Sequence, residues 1–197
     1  MRYTFFIESL TRELETGKII AHEINTNPDY ENKVVAYPCN VKSFDELKAL
    51  FTDIVNNVSE KEKVIVQIDA HSDASSITFK DVESQDKNHW TDFRSWNDIT
   101  ELLELLYQHF KNNVLVIFVS CLSASYFNGL SSPHITTIAA EGIIDSHKAE
   151  ERLLVFYKHF CMGADFEQSY NAMIEKFPLE KEMEIEEKYR AVLKLFK

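Results

Sequence analysis

Apolar residues along the chain fall into two kinds of run. Some are short, dense and β-branched, and others recur every three or four positions. Lys63–Asp69 (KVIVQID) and Val114–Val119 (VLVIFV) are nearly continuous apolar runs, the signature of strands buried on both faces of a sheet. Tyr3–Ser9, Lys33–Tyr37 and Ile135–Ala140 predict further strands. Lys18–Asn25 also reads as strand, forming a hairpin with Tyr3–Ser9 about the turn "ETGK". Helical spacing governs much of the remainder. Phe44, Leu47, Leu50, Phe51, Ile54 and Val58 follow Ser43, which forms a capping box with Glu46. Ile99, Leu102, Leu103, Leu106 and Phe110 define a helix from Trp96 to Lys111, ended by Asn112-Asn113. Two more helices span Lys148–Met162 and Asp165–Phe177, with Gly163 as the stop between them. Ser76–Phe79 opens a small hairpin before a polar stretch, Lys80–Ser95. Leu179–Lys197 reads as a charged amphipathic helix, its acids first and its bases last, as the helix dipole favours.

Buried strands alternating with amphipathic helices predict a three-layer α/β/α sandwich, a central mostly parallel sheet in one domain spanning 1–197. Ligands in such folds bind beyond the carboxyl ends of the strands. His71 and Cys121 each stand just past the end of one of the two most buried strands. If those strands are neighbours, the imidazole and the thiol share one rim.

Charge and composition narrow the partners. A formal charge of −11 without any run of Lys and Arg argues against nucleic acid or an anionic membrane surface. No stretch of about 18 apolar residues exists to span a bilayer, and the apolar run in "MRYTFFIESLTRELE" is too short for a secretory signal. Three cysteines, Cys39, Cys121 and Cys161, are an odd and sparse set that reads as thiols in a reducing, cytoplasmic compartment.

The segment "VIVQIDAHSDAS" sets His71 between Asp69 and Asp73. On an extended chain all three face one way, and "DAHSD" resembles one element of the manganese ureohydrolases. The glycine-rich His element and the "SxDxDxxDP" element that family also needs are absent. The other reading is a Cys–His dyad, since a thiol becomes a good nucleophile once an imidazole takes its proton. The separation is 121 − 71 = 50 residues, His first. Against it stands the plain alternative of a buried strand-end cysteine and a loop histidine.

The order of elements from Lys63 to Met173 carries a resemblance. A buried strand ends in His ("VIVQIDAHS"), a Trp-containing segment and helix follow ("SWNDITELLELL"), and a second buried strand ends in Cys ("VLVIFVSCLSAS"). Then come "ITTIAAEGIID" and the helix pair "FYKHFCMGADFEQSYNAM". This order resembles the caspase-like clan of cysteine peptidases, and most closely its bacterial CHAT subgroup. The resemblance implies a caspase-hemoglobinase-like fold, His71 as acid and base, and Cys121 as nucleophile. It also implies an oxyanion hole from the backbone N–H groups of Ser72 and Cys121. The family usually has Gly after the His, and a serine there would be strained if the position demanded a positive φ. Relatives that cut after Arg or Lys carry Asp two residues before the Cys, and caspases carry Gln. Val119 at this position implies a neutral or apolar residue before the cut. The implied activity is cleavage of a protein or peptide substrate with no cofactor, as in bacterial defence, and the acidic chain without a sensor segment points to activation by a partner, a small-molecule signal or dimerisation. An inactive homologue that binds peptides or partners is the alternative.

Asp73 and Glu141 lie near the expected rim, able to orient His71 or touch substrate, and Trp90 and Trp96 either line substrate pockets or cover the sheet. His109 and His159 read as partly buried structural residues, and His22, His89, His134 and His147 as surface or loop. Cys161 reads as packing and Cys39 as a loop residue.

Overall fold

The computed structural model describes residues 1–9, 16–79, 92–129, 135–184 and 191–197. The buried runs form β1 (Arg2–Ser9), β2 (Val34–Asn40), β3 (Lys63–Ser72), β6 (Val114–Val119), β7 (Thr136–Glu141) and β8 (Val192–Phe196), arranged in the order β2-β1-β3-β6-β7-β8. The first five are mutually parallel, and β8 closes one edge antiparallel to β7. A small hairpin of β4 (Ser76–Phe79) and β5 (Asp92–Ser95) continues from the end of β3.

Parallel neighbours need crossovers, and helices supply them on both faces. Alternation along β3 assigns the layers. Val64, Val66, Ile68 and Ala70 pack against α2 (Phe44–Asn57), α3 (Trp96–Phe110) and α4 (Ser123–Asn128). Ile65 faces the other way, with Leu115, Ile117 and Val119 of β6, against α1 (Thr16–Thr26), α5 (Ser146–Cys161) and α6 (Phe166–Lys176). The chain is therefore a three-layer α/β/α sandwich around a mostly parallel sheet. Gly163, at φ 109°, turns the chain between α5 and α6 as its position predicts. Among the described residues no helix is long and apolar enough to cross a membrane.

Four local expectations change. Lys18–Asn25 is not a strand but part of α1, whose buried Gly17, Ile20, Ala21 and Ile24 repeat at helical spacing. A hairpin was impossible there, because β1 and β2 are parallel and α1 is their crossover. The carboxy-terminal stretch is helical only in α7 (Leu179–Met183), while Val192–Phe196 forms β8, with residues 185–190 outside the described set. Cys39 lies in the edge strand β2 rather than a loop, and Pro38 beside it is tolerated there because an edge strand can spare an N–H. The Ser43 cap is one-sided: its hydroxyl accepts from the Glu46 N–H, but the Glu46 carboxylate accepts from the Lys42 N–H instead of closing the box.

At Gly17, α1 touches the sheet so closely that a Cβ would lie 2.6 Å from Glu8 Oε1 and 3.0 Å from Phe6 Cβ. Gly17→Ala should therefore lower the unfolding free energy by roughly 1–3 kcal/mol through overpacking. A denaturant midpoint equal to that of the wild type would contradict this packing.

Candidate active site

The register of β3 on β6 pairs Asp69 with Val119. His71 and Cys121 each lie two residues beyond that pair (71 − 69 = 2 and 121 − 119 = 2). Adjacent strands run about 4.8 Å apart, so the two residues leave neighbouring strands at matching positions. Both are half-buried, and both border a cavity of about 120 Å³ closed by Ala70, Val119, Ser120, Ile144 and Ser146. The condition set by the sequence, that the two buried strands be neighbours, is met.

The turn carrying Cys121 is built for tight local control. Leu122 follows it at φ 57°, ψ 10°, a left-handed conformation that costs a non-glycine residue roughly 1–2 kcal/mol. Its N–H donates to the Gly142 carbonyl at 2.7 Å, and the buried Ser123 hydroxyl donates to the Ser120 carbonyl while accepting from the Ala140 N–H. These bonds fasten the turn to β7 and to the loop that enters α5. On the other side, the Ser72 hydroxyl donates to the Cys121 carbonyl. Sequence reasoning missed Leu122, Ser123 and Gly142, because backbone torsion and buried hydroxyl bonds leave no periodic signal.

Ser72 keeps a negative φ within β3, so a serine at this position carries no left-handed backbone strain. The Asp73 N–H donates to the Ser76 carbonyl, which makes Ser72 and Ile77 a non-hydrogen-bonded pair of the hairpin. The Ser72 N–H thus points away from β4.

Asp73 does not turn towards the imidazole. Its Oδ1 accepts from the N–H and hydroxyl of both Ser75 and Ser76, and these bonds, led by the Ser75 N–H, hold its carboxyl below the ordinary range. Glu141 is paired with Lys194 across β7 and β8. Trp96 is core: it stacks on Tyr126, meets Phe118 and Phe127 edge-on, and donates its indole N–H to the Asp73 carbonyl. Trp90, His89 and His134 lie outside the described residues. His109 accepts its structural role, half-buried with its Nε2 on the Val58 carbonyl, and His22 and His147 are exposed. His159 is exposed as well, contrary to expectation, because it falls on the outer face of α5. The three cysteines are unpaired thiols, and burial pushes the Cys161 thiol up to about 12 and raises that of Cys39.

Beneath the rim lies a polar network that the sequence also concealed. Glu8 and Asp69, register partners on β1 and β3, are each 1% exposed. Asp69 accepts from the Thr16 hydroxyl, the Gly17 N–H and the Gln67 amide, while Tyr157 donates to Gln67 Oε1 and Glu8 Oε1 accepts from the Lys18 N–H. The first turn of α1 therefore sits on two carboxyls, where the helix dipole favours negative charge. Burial pushes the Asp69 carboxyl up to about 6, opposed by hydrogen bonds from Thr16, Gln67, Gly17 and Glu8. With Asp69 held in this network and Asp73 in its turn, the two aspartates do not converge with His71. Among the described residues no group of three or more His, Cys, Asp or Glu could hold a metal ion.

A larger groove of about 730 Å³ runs along α1, α5 and the end of α6, lined by residues such as Ile19, His22, Leu154 and Phe177. No cysteine is among the described residues that line it, whereas the smaller cavity is bordered by both His71 and Cys121.

No family model and no curated protein matches the chain. Among solved structures, the chain is similar to protein GSU0716 from Geobacter sulfurreducens, with 9% sequence identity, a TM-score of 0.53, and coverage of 99% of this chain and 92% of that one. This likeness concerns the fold.

Because the folded state binds a proton at Asp69 more tightly than the unfolded chain, whose carboxyl titrates near 3.8, the Asp69 contribution to stability is present at low pH and lost as pH rises towards about 6. Asp69→Asn should remove that loss, since Gln67 can turn its amide to keep both bonds. Urea unfolding at pH 4 and pH 7 should show the variant gaining on the wild type by about 2 kcal/mol between the two. An equal difference at both values would refute the assignment.

Proposed function

We propose that the chain is a caspase-like cysteine endopeptidase that cleaves a protein substrate with His71 and Cys121. The observation that carries this reading is their shared place two residues beyond the Asp69–Val119 pair, facing one cavity. The resemblance of Lys63 to Met173 to the caspase-like clan supports it, as does the mostly parallel sheet between two helix layers.

In the proposed reaction His71 takes the Cys121 thiol proton and the sulfur attacks the scissile carbonyl, forming a C–S bond and an oxyanion. The Ser72 and Cys121 N–H groups receive that oxyanion; donors of this kind are each worth about 10²–10³ in rate. The oxyanion collapses, the C–N bond breaks, and His71 returns its proton to the leaving amine. Water, deprotonated by His71, then hydrolyses the thioester and restores the thiol. No cofactor takes part.

The negative φ of Ser72 weakens the case for the rival, an inactive peptide-binding homologue, since that case drew on serine replacing glycine. The unpaired thiols fit a cytoplasmic enzyme. A partner or small-molecule signal is the proposed control, with bacterial defence as the proposed setting.

The test is cleavage of a peptide library by wild type, Cys121→Ala and His71→Ala proteins. Each substitution should lower turnover by at least about a thousandfold. Cleavage by Cys121→Ala equal to that of wild type would remove the enzymatic claim.

A further inference from the structure

Val119 speaks to the charge of the residue before the cut but not to its size. The cavity beside Cys121 speaks to both. Its volume, about 120 Å³, is below the roughly 150 Å³ that admits a benzene ring. Its walls are the Ala70 and Val119 ends of β3 and β6 and, opposite them, Ile144 and Ser146. Among the described residues no Asp, Glu, Lys or Arg lines it, and a charged side chain placed there would lose its hydration and find no counter-ion other than His71 and Cys121 themselves. An acidic side chain would also approach a helix start already occupied, for the Asp145 carboxylate caps α5 by accepting from the Lys148 N–H at 3.0 Å.

The pocket cannot easily widen. Ile144 stands in a loop fastened to the Cys121 turn through the Leu122 N–H and the Gly142 carbonyl, and that turn is fastened to β7 through Ser123 and Ala140. Nucleophile and opposite wall therefore move together. Building the reactive sulfur and the size limit into one hydrogen-bonded unit turns a small cavity into a strict one.

We infer that this cavity receives the side chain of the substrate residue whose carbonyl Cys121 attacks, and that it selects small uncharged residues such as Ala, Thr or Val, with Ile144 setting the upper limit of size. The inference rests on Cys121 being the nucleophile that His71 activates.

The experiment uses six acetyl-Ala-Ala-Xaa chloromethyl ketones, with Xaa being Ala, Thr, Val, Phe, Arg or Glu, and reads the rate of Cys121 modification by intact-mass and peptide mass spectrometry. The Ala, Thr and Val probes should react at least tenfold faster than the Phe, Arg and Glu probes. Ile144→Ala should bring the Phe probe to within about threefold of the Ala probe while leaving Arg and Glu slow. A Phe, Arg or Glu probe as fast as Ala in the wild type overturns the pocket assignment, and so does an Ile144→Ala protein, folded by circular dichroism, with unchanged ratios. His71→Ala separates the two claims. If the Ala probe slows strongly in that variant while wild type shows no discrimination, the pocket assignment falls and the dyad stands. If the Ala probe modifies Cys121 equally fast with and without His71, the activated nucleophile falls and the pocket assignment with it.

Discussion

Register between β3 and β6 pairs Asp69 with Val119, and two residues further on the chain reaches His71 on β3 and Cys121 in the turn that follows β6. Nearly everything at this rim follows from that pairing. In a parallel ladder a slip of one residue would turn one of the two side chains to the opposite helix layer. The slip is prevented below the rim, where Val64, Val66 and Ile68 must face one helix layer and Ile65, Gln67 and Asp69 the other. The burial of two β-branched strands is thus what holds a histidine and a cysteine 50 residues apart in sequence at matching strand ends.

The rim is also where the fold accepts local cost. Leu122 sits in the left-handed region, and Asp69 and Glu8 are buried side by side. Each cost is contained by specific bonds: Gly142 and Ser123 hold the turn, and the first turn of α1 with Gln67 satisfies the carboxyls. The Glu8–Asp69 pair ties the crossover helix to β1 and β3 one alternation below His71. The packing that fixes the sheet and the polar bonds that fix the site therefore share residues, and a change in either reaches the other.

Much of this was legible in the sequence, and what was not has physical causes. Dense β-branched runs identified β3 and β6, and their ends identified His71 and Cys121, because burial on both faces leaves a strong compositional mark. Lys18–Asn25 misled because Ile19 and Ile20 lend the run strand character, although Gly17, Ile20, Ala21 and Ile24 are the residues α1 buries. The end of the chain misled because Ile185, Tyr189, Val192 and Phe196 fall on one helical stripe in the sequence, whereas the free edge of β7 offers Val192–Phe196 backbone partners that a surface helix lacks. Asp73 and Asp69 looked like partners of His71 by alternation alone. Their actual bonds, to a serine turn and to a helix start, depend on loops that no periodicity describes.

The central claim is that His71 activates Cys121. It is tested most directly by the rate of Cys121 alkylation with iodoacetamide at pH 6.5, compared between wild type and His71→Ala, with Cys39 and Cys161 as internal references. The account predicts that Cys121 in the wild type reacts at least tenfold faster than either reference, and that His71→Ala abolishes the difference. Slow modification of all three thiols, or a fast Cys121 indifferent to the loss of His71, would contradict it.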